Sequence, residues 1–122
     1  MNLEELVAEF NGFGDGLLTE FRFYWRSSNN EEQFSFIVQA ANRVKEVKEI
    51  HFFVNAVQQF KLTHDRNRLN YQVLSNGIHF VKIGELWSIE FGTFADPSQT
   101  LDEVMESDFY VTGKEIVFQI QT

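Results

Sequence analysis

Three sets of residues in this chain could do chemistry. They are three histidines, a surplus of carboxylates, and the glycines of Asn11-Gly12-Phe13-Gly14-Asp15-Gly16, which fall at alternate positions. A dinucleotide-binding loop needs G-x-G-x-x-G between a strand and a helix, so that the backbone can approach a pyrophosphate at the helix N-terminus. Here the spacing is G-x-G-x-G, the order is helix then strand, and no Gly-Lys-Ser or Gly-Lys-Thr follows. The stretch therefore reads as a turn. At least one of Gly12, Gly14 and Gly16 should have positive φ, and Phe13 should bury its ring between the first helix and the sheet. Asp15 is a candidate ligand-binding residue, although calcium would need many more oxygens.

A zinc site needs three or four protein ligands. His51 and His79 fall in predicted strands and would form a site with Glu90 or Asp65 if those strands were adjacent. No short-range spacing supports that arrangement, and His64-Asp65 is only an adjacency. No metal and no cofactor are expected. Nor is a catalytic residue: there is no cysteine, no G-x-S-x-G and no Ser-x-x-Lys.

The carboxylates Asp96, Asp102, Glu103, Glu106 and Asp108 cluster in sequence. Asp102 and Glu103 suit the positive end of a helix, so a solvated helix explains them. As a functional face they would steer a basic protein partner, more so if Glu31, Glu32 and Glu46 lie nearby. Tyr24 alternates onto a polar face and is the second candidate ligand-binding residue, as a ring on which a sugar could stack. Trp25 and Trp87 are expected to be buried.

These residues sit in a chain of 122 residues, which forms one domain over 1–122. It carries 18 acidic and 10 basic residues, a net charge of -8. Such a surface repels a phosphate backbone, and no basic patch offsets it, so nucleic acid is not expected as a partner. No apolar run approaches the roughly 20 residues that span a bilayer. Met1 to Glu5 lacks the basic-then-apolar pattern of a signal peptide. The absence of cysteine fits a reducing compartment, and a cytoplasmic location is the expectation.

Asn2 and Glu5 form a capping box ahead of a helix over about 3–10, with Leu3, Leu6, Val7 and Phe10 on one face. Leu17 to Arg26 alternates as a strand, with Thr19, Phe21, Phe23 and Trp25 on one side. From Glu32 to Ile50 two patterns compete. Phe34, Phe36, Val38 and Ala40 alternate, while Ile37, Ala40, Ala41, Val44 and Val47 fit a helical stripe. Strand-forming "FSFIV" favours a strand to about Ala41. Further strands are predicted at Ile50–Val54, Tyr71–Leu74, Ile78–Ile83, Leu86–Phe91, Phe109–Thr112 and Glu115–Gln121, and Ala56–Leu62 is ambiguous. Tight turns fall at Ser75-Asn76-Gly77, Gly84-Glu85 and Gly113-Lys114. Thr100-Leu101-Asp102-Glu103 opens a short helix near 100–107. The connections are too short for repeated parallel crossovers. The fold class is mostly β: an antiparallel β-sandwich or compact barrel with two short helices. Edge strands of such a sheet can pair across a two-fold axis, so a homodimer is one expectation.

The segments "FNGFGDGLL", "EIHFFVNAVQQFKL", "VLSNGIHF", "LWSIEFG" and "SDFYV" together resemble small bacterial β-sandwich proteins, some of which are similar to immunity proteins. In that group the opening often reads Phe-His-Asp, where this chain has Phe13-Gly14-Asp15. The resemblance implies a β-rich fold and a protein that acts by neutralising a toxin, and it carries over no catalytic residue. The functional expectation is a non-enzymatic protein-binding domain, an acidic inhibitor or immunity-type protein. The alternative is a carbohydrate-binding or other small-molecule-binding module.

Overall fold

The computed structural model describes residues 1–26, 31–63, 73–91 and 96–121. Helix α1 spans Leu3–Glu9 and opens with the expected capping box: the Glu5 amide donates to Asn2 Oδ1 at 2.8 Å, and the Asn2 amide to Glu5 Oε1 at 3.3 Å. Its buried side is Leu6, continued by Phe10 just beyond the helix.

The glycine stretch then makes a left-handed turn over Asn11–Phe13. Positive φ extends beyond glycine: Asn11 at 52°, Gly12 at 66°, Phe13 at 64° and Asp15 at 61°. Each such non-glycine residue costs on the order of 1–3 kcal/mol. The offset is visible in Phe13, whose ring is fully buried. It stacks on Phe10 at 5.6 Å and meets Phe52 and Phe80 edge-on at 5.7 and 6.1 Å. Both expectations for this stretch hold.

Seven strands follow among the described residues: β1 (Gly16–Arg26), β2 (Glu31–Ala41), β3 (Val47–Leu62), β4 (Val73–Leu74), β5 (Ile78–Ile83), β6 (Leu86–Phe91) and β7 (Phe109–Gln121). Helix α2 (Leu101–Met105) lies between β6 and β7. The strands form one antiparallel sheet in the order β4-β1-β2-β3-β7-β6-β5. Of the two expected architectures the barrel is the one seen: a nearly closed, barrel-like sheet. Closure has a covalent cause, because the two edge strands β4 and β5 are consecutive and joined by Ser75–Gly77. Gly77 has φ +73°, and a Cβ there would overlap the Gly12 carbonyl oxygen. The closing turn is therefore pressed onto the left-handed turn. The Asp15 amide fixes it further by donating to the Leu74 carbonyl at 2.8 Å.

The enclosed face is aromatic. Phe34, Phe36, Phe52, Phe91 and Phe109 are each at most 1 % exposed. Phe36 stacks on Phe52 at 4.7 Å, and Phe91 on Phe109 at 4.2 Å. Each buried ring contributes roughly 1.5–3 kcal/mol from area alone. This packing settles 32–41 as a strand, since Phe34, Phe36, Val38 and Ala40 all point inward.

Three expectations change. The segment Ala56–Leu62 continues β3, with a bulge at Ala56 (φ 52°) and a register shift between Val57 and Gln59. The turn expected at Gly113-Lys114 is strand interior. A Cβ at Gly113 would stand 2.5 Å from Val54 Cγ1 and 2.9 Å from the Asn55 carbonyl oxygen, so glycine is there because bulged β3 crosses closely. Trp25 is not buried but 74 % exposed. Trp87 is half-buried, with Lys82 Nζ 5.9 Å from its ring. The expected loop over 63–70 lies outside the described residues apart from Thr63, and of the strand expected at 71–74 only Val73–Leu74 is described.

Gly77→Ala combines positive φ with a backbone clash, whereas Gly84→Ala has positive φ (+63°) and nothing within 4 Å. Urea unfolding should show Gly84→Ala losing about 1 kcal/mol and Gly77→Ala losing clearly more. Equal losses would refute the docking of the closing turn.

Candidate functional site

The five candidate carboxylates, Asp96, Asp102, Glu103, Glu106 and Asp108, all lie on the segment between β6 and β7, which packs through α2 on β6. Along β6, Ile89 and Phe91 enter the aromatic core, and Glu90 lies between them in the strand. Glu90 is nevertheless only 1 % exposed, because the segment from Asp96 to Asp108 covers it. A buried carboxylate must be hydrogen-bonded. Here Ser98 supplies both donors, its amide to Glu90 Oε1 at 3.2 Å and its hydroxyl to Oε2 at 3.0 Å. That clamp sets the start of the segment.

Two residues on, Thr100 caps α2. Its Oγ1 accepts from the Glu103 amide at 3.2 Å, and Glu103 Oε2 accepts from the Gln99 amide at 3.2 Å. Val104 is fully buried and anchors the helix from beneath. With its start clamped and Val104 inward, the remaining side chains of α2 face out. Asp96, Asp102, Glu103 and Glu106 are exposed, and Asp108 is half-buried, its carbonyl accepting from the Thr63 amide at 2.9 Å. No basic residue lies in the last turn of α2. Between the carboxylates, Leu101 and Met105 are 38 % and 45 % exposed. They are one helical turn apart, as are Asp102 and Glu106. The result is an anionic surface, held from beneath, with two apolar side chains set into it. Glu31 and Glu46 do not extend it as one patch: they lie at opposite ends of β2, on the order of 30 Å apart.

Tyr24 occupies a different face. Tyr24, Gln33, Asn55 and Glu115 are successive register partners across β1, β2, β3 and β7. Their side chains form a polar ladder. The Tyr24 hydroxyl donates to Gln33 Oε1, Gln33 Nε2 to Asn55 Oδ1 at 2.6 Å, and Asn55 Nδ2 to Glu115 Oε1 at 2.7 Å. Two open grooves flank Phe53 on this face, of about 540 and 320 Å³. Tyr24 is therefore half-buried, with its hydroxyl already engaged.

Asp15 is exposed at the foot of β1, where its amide donates to the Leu74 carbonyl. The structure does not bring Asp15, Tyr24 and the α2 carboxylates together. His51 and His79 do not meet either: β7 and β6 separate β3 from β5. His51 Nε2 lies 3.5 Å from Glu49 Oε1 without a hydrogen bond. His79 is opposite Glu90 in register, but both Glu90 oxygens accept from Ser98. No group of three histidine, aspartate or glutamate residues is placed to hold a metal among the described residues. His64, Asp65 and Tyr71 lie outside them.

Sequence reasoning missed the Glu90–Ser98 clamp and the exposure of Trp25. Glu90 did carry a signal, since it alternates with core residues, but its burial depends on a segment that folds back over it. No family model, curated protein or solved structure matches the chain. The fold and the surface chemistry are thus what bear on function. No helix among the described residues is long and apolar enough to cross a membrane.

Ser98→Ala leaves one Glu90 oxygen buried without its hydroxyl donor. It should cost about 1–3 kcal/mol in urea unfolding, although Ser98 lies in no helix or strand. An unchanged midpoint would show that the clamp does not hold the segment.

Proposed function

We propose that the chain is a non-enzymatic protein-binding domain that takes a basic protein partner on the outer face of α2, as an inhibitor or immunity-type protein would. The observation that carries this reading is the pairing of exposed Leu101 and Met105 with Asp102, Glu103 and Glu106 on a helix locked from below by Val104 and Glu90–Ser98. Interfaces concentrate affinity in an apolar centre and use surrounding charge for steering and register. A rigid display also limits the ordering entropy lost on binding. A nuclease or another toxin with a phosphate-binding surface suits this chemistry, because carboxylates can occupy the places where phosphates bind. The lack of cysteine fits action in the cytoplasm of a bacterium.

A carbohydrate-binding module is the second reading. Tyr24 supports it poorly, being tied into the polar ladder, whereas the exposed indole of Trp25 offers a stacking surface.

The immobilised chain, exposed to a lysate of its own organism, should retain a basic protein at low salt and release it as salt screens the surface. Asp102→Lys with Glu106→Lys should abolish retention while leaving the unfolding midpoint nearly unchanged, since both side chains are exposed. Retention that survives the charge reversal, or capture of no basic protein, would overturn the reading.

A further inference from the structure

The polar ladder on the outer face of the sheet is ordered but not used up. Each of its bonds fixes the next side chain, from Tyr24 through Gln33 and Asn55 to the Glu115 carboxylate. Polar groups held this way lose little entropy when a ligand arrives. Among the described residues, nothing engages Glu115 Oε2 or the second Nδ2 hydrogen of Asn55. Asn55 Nδ2 stands 2.7 Å from Glu115 Oε1, so this spare donor and spare acceptor are side by side. The next row of the face is apolar at its centre. Phe53 is half-buried there, beside Val117, its register partner, which is 46 % exposed. Unlike the core phenylalanines, Phe53 has no ring partner among the described residues. Ladder, ring and Val117 together line the groove of about 540 Å³, and the groove of about 320 Å³ continues beyond Phe53.

We propose that this face binds a neutral oligosaccharide, with one sugar ring laid on Phe53 and its neighbouring hydroxyls on the ladder. A sugar ring has an apolar C–H face and a rim of hydroxyls. Phe53 and Val117 take the first, as apolar walls do in small-ligand sites. The rim meets Asn55 and Glu115. A hydroxyl both donates and accepts, so one of two adjacent hydroxyls donates to Glu115 Oε2 while the other accepts from Asn55 Nδ2. Because Phe53 borders both grooves, a ligand of more than one unit crosses it and continues on the far side. The inference rests on the carbohydrate reading above and places its site on Phe53, whereas Trp25 lies on the inward-facing row of β1. Tyr24 serves it as a positioning residue that orients Gln33, not as the stacking ring.

Other occupants fit this face less well. At Gln33 and Asn55, β2 and β3 are paired on both sides, so a peptide finds no open backbone there to extend as a strand. Recognition has to run through side chains, and those at the centre are amides, a hydroxyl and a ring. The charged groups lining the larger groove are Glu31, Glu115 and Lys114, which come close to balance. A phosphorylated or sulfated ligand is repelled by the two carboxylates and by the net charge of -8. A polycation is opposed by Lys114. A neutral molecule rich in hydroxyls meets neither penalty.

Titrating the isotope-labelled chain with maltohexaose, cellohexaose, xylohexaose and chitohexaose tests this by nuclear magnetic resonance. At least one should bind and shift the side-chain amide signals of Asn55, while a heparin hexasaccharide should not bind. Phe53→Ala should weaken binding about tenfold or more with an unchanged circular dichroism spectrum. Glu115→Gln keeps an oxygen to accept from Asn55 but loses the carboxylate, and it should weaken binding too. Trp25→Ala should leave the affinity unchanged. Binding that is lost in Trp25→Ala and kept in Phe53→Ala would overturn the placement while the carbohydrate reading survives. Binding of none of the neutral probes at millimolar concentration would overturn both, and a preference for the heparin hexasaccharide would overturn the inference. The signal shifts are read on the unaltered chain, so they stand even if a variant does not fold.

Discussion

The structure depends on one docking event, the closing turn Ser75–Gly77 against the left-handed turn Asn11–Phe13. A seven-stranded sheet with an apolar, phenylalanine-rich inner face must curl to exclude water from that face. The connection between β4 and β5 ties its two edge strands together. That connection is a tight turn seated on the left-handed turn, and the Gly12 carbonyl occupies the space where any side chain at position 77 would be. The left-handed turn is held in turn by Phe13, whose ring lies between Phe10 of the helical arm and Phe52 and Phe80 of the sheet. Strain at Asn11, Phe13 and Asp15 is thus tolerated because the aromatic core over-determines it. The glycines whose spacing suggests a phosphate cradle are the seat of barrel closure.

The fold is largely legible in sequence because its local signals agree with one another. The capping box at Asn2 and Glu5, the alternation Phe34–Phe36–Val38–Ala40 and the turn Ser75-Asn76-Gly77 each point to the element that forms. The exceptions have a common origin. Ala56, Gly113 and Trp25 depart from their local patterns because long-range geometry decides them. A bulge lets β3 run on through Ala56, and that bulge requires a glycine at 113 in the facing strand. Trp25 lies on the inward-facing row of β1, but it is 74 % exposed, so no described strand closes over the end of that row. Local composition carries no information about where a barrel stops enclosing its own face.

The candidate surfaces are legible to a lesser degree. The carboxylates from Asp96 to Asp108 stand out as a cluster in sequence, but their arrangement as a rigid face rests on Glu90. That residue lies on β6, outside the cluster, and reaches it only through Ser98. Tyr24 lies on the polar face that its alternation indicates. Its engagement has no local signature, because a ladder across four strands exists only once their registers are set. His51 and His79 fail as a pair for the same reason, since strand order and not sequence distance separates them.

Two exposed sets of side chains on this small barrel differ in their physics. The face of α2 is charged and held by buried contacts beneath it, so a partner there meets fixed carboxylates and gains from long-range attraction. The aromatic row of Phe21, Phe23 and Trp25 is a second surface, where Trp25 is 74 % exposed and the other two rings pack on Phe34, Phe60 and Phe109. Carboxylates act at long range, whereas an exposed ring gains only on direct contact. The two lie on different elements, the aromatic row on β1 and the carboxylates on and around α2, which packs on β6.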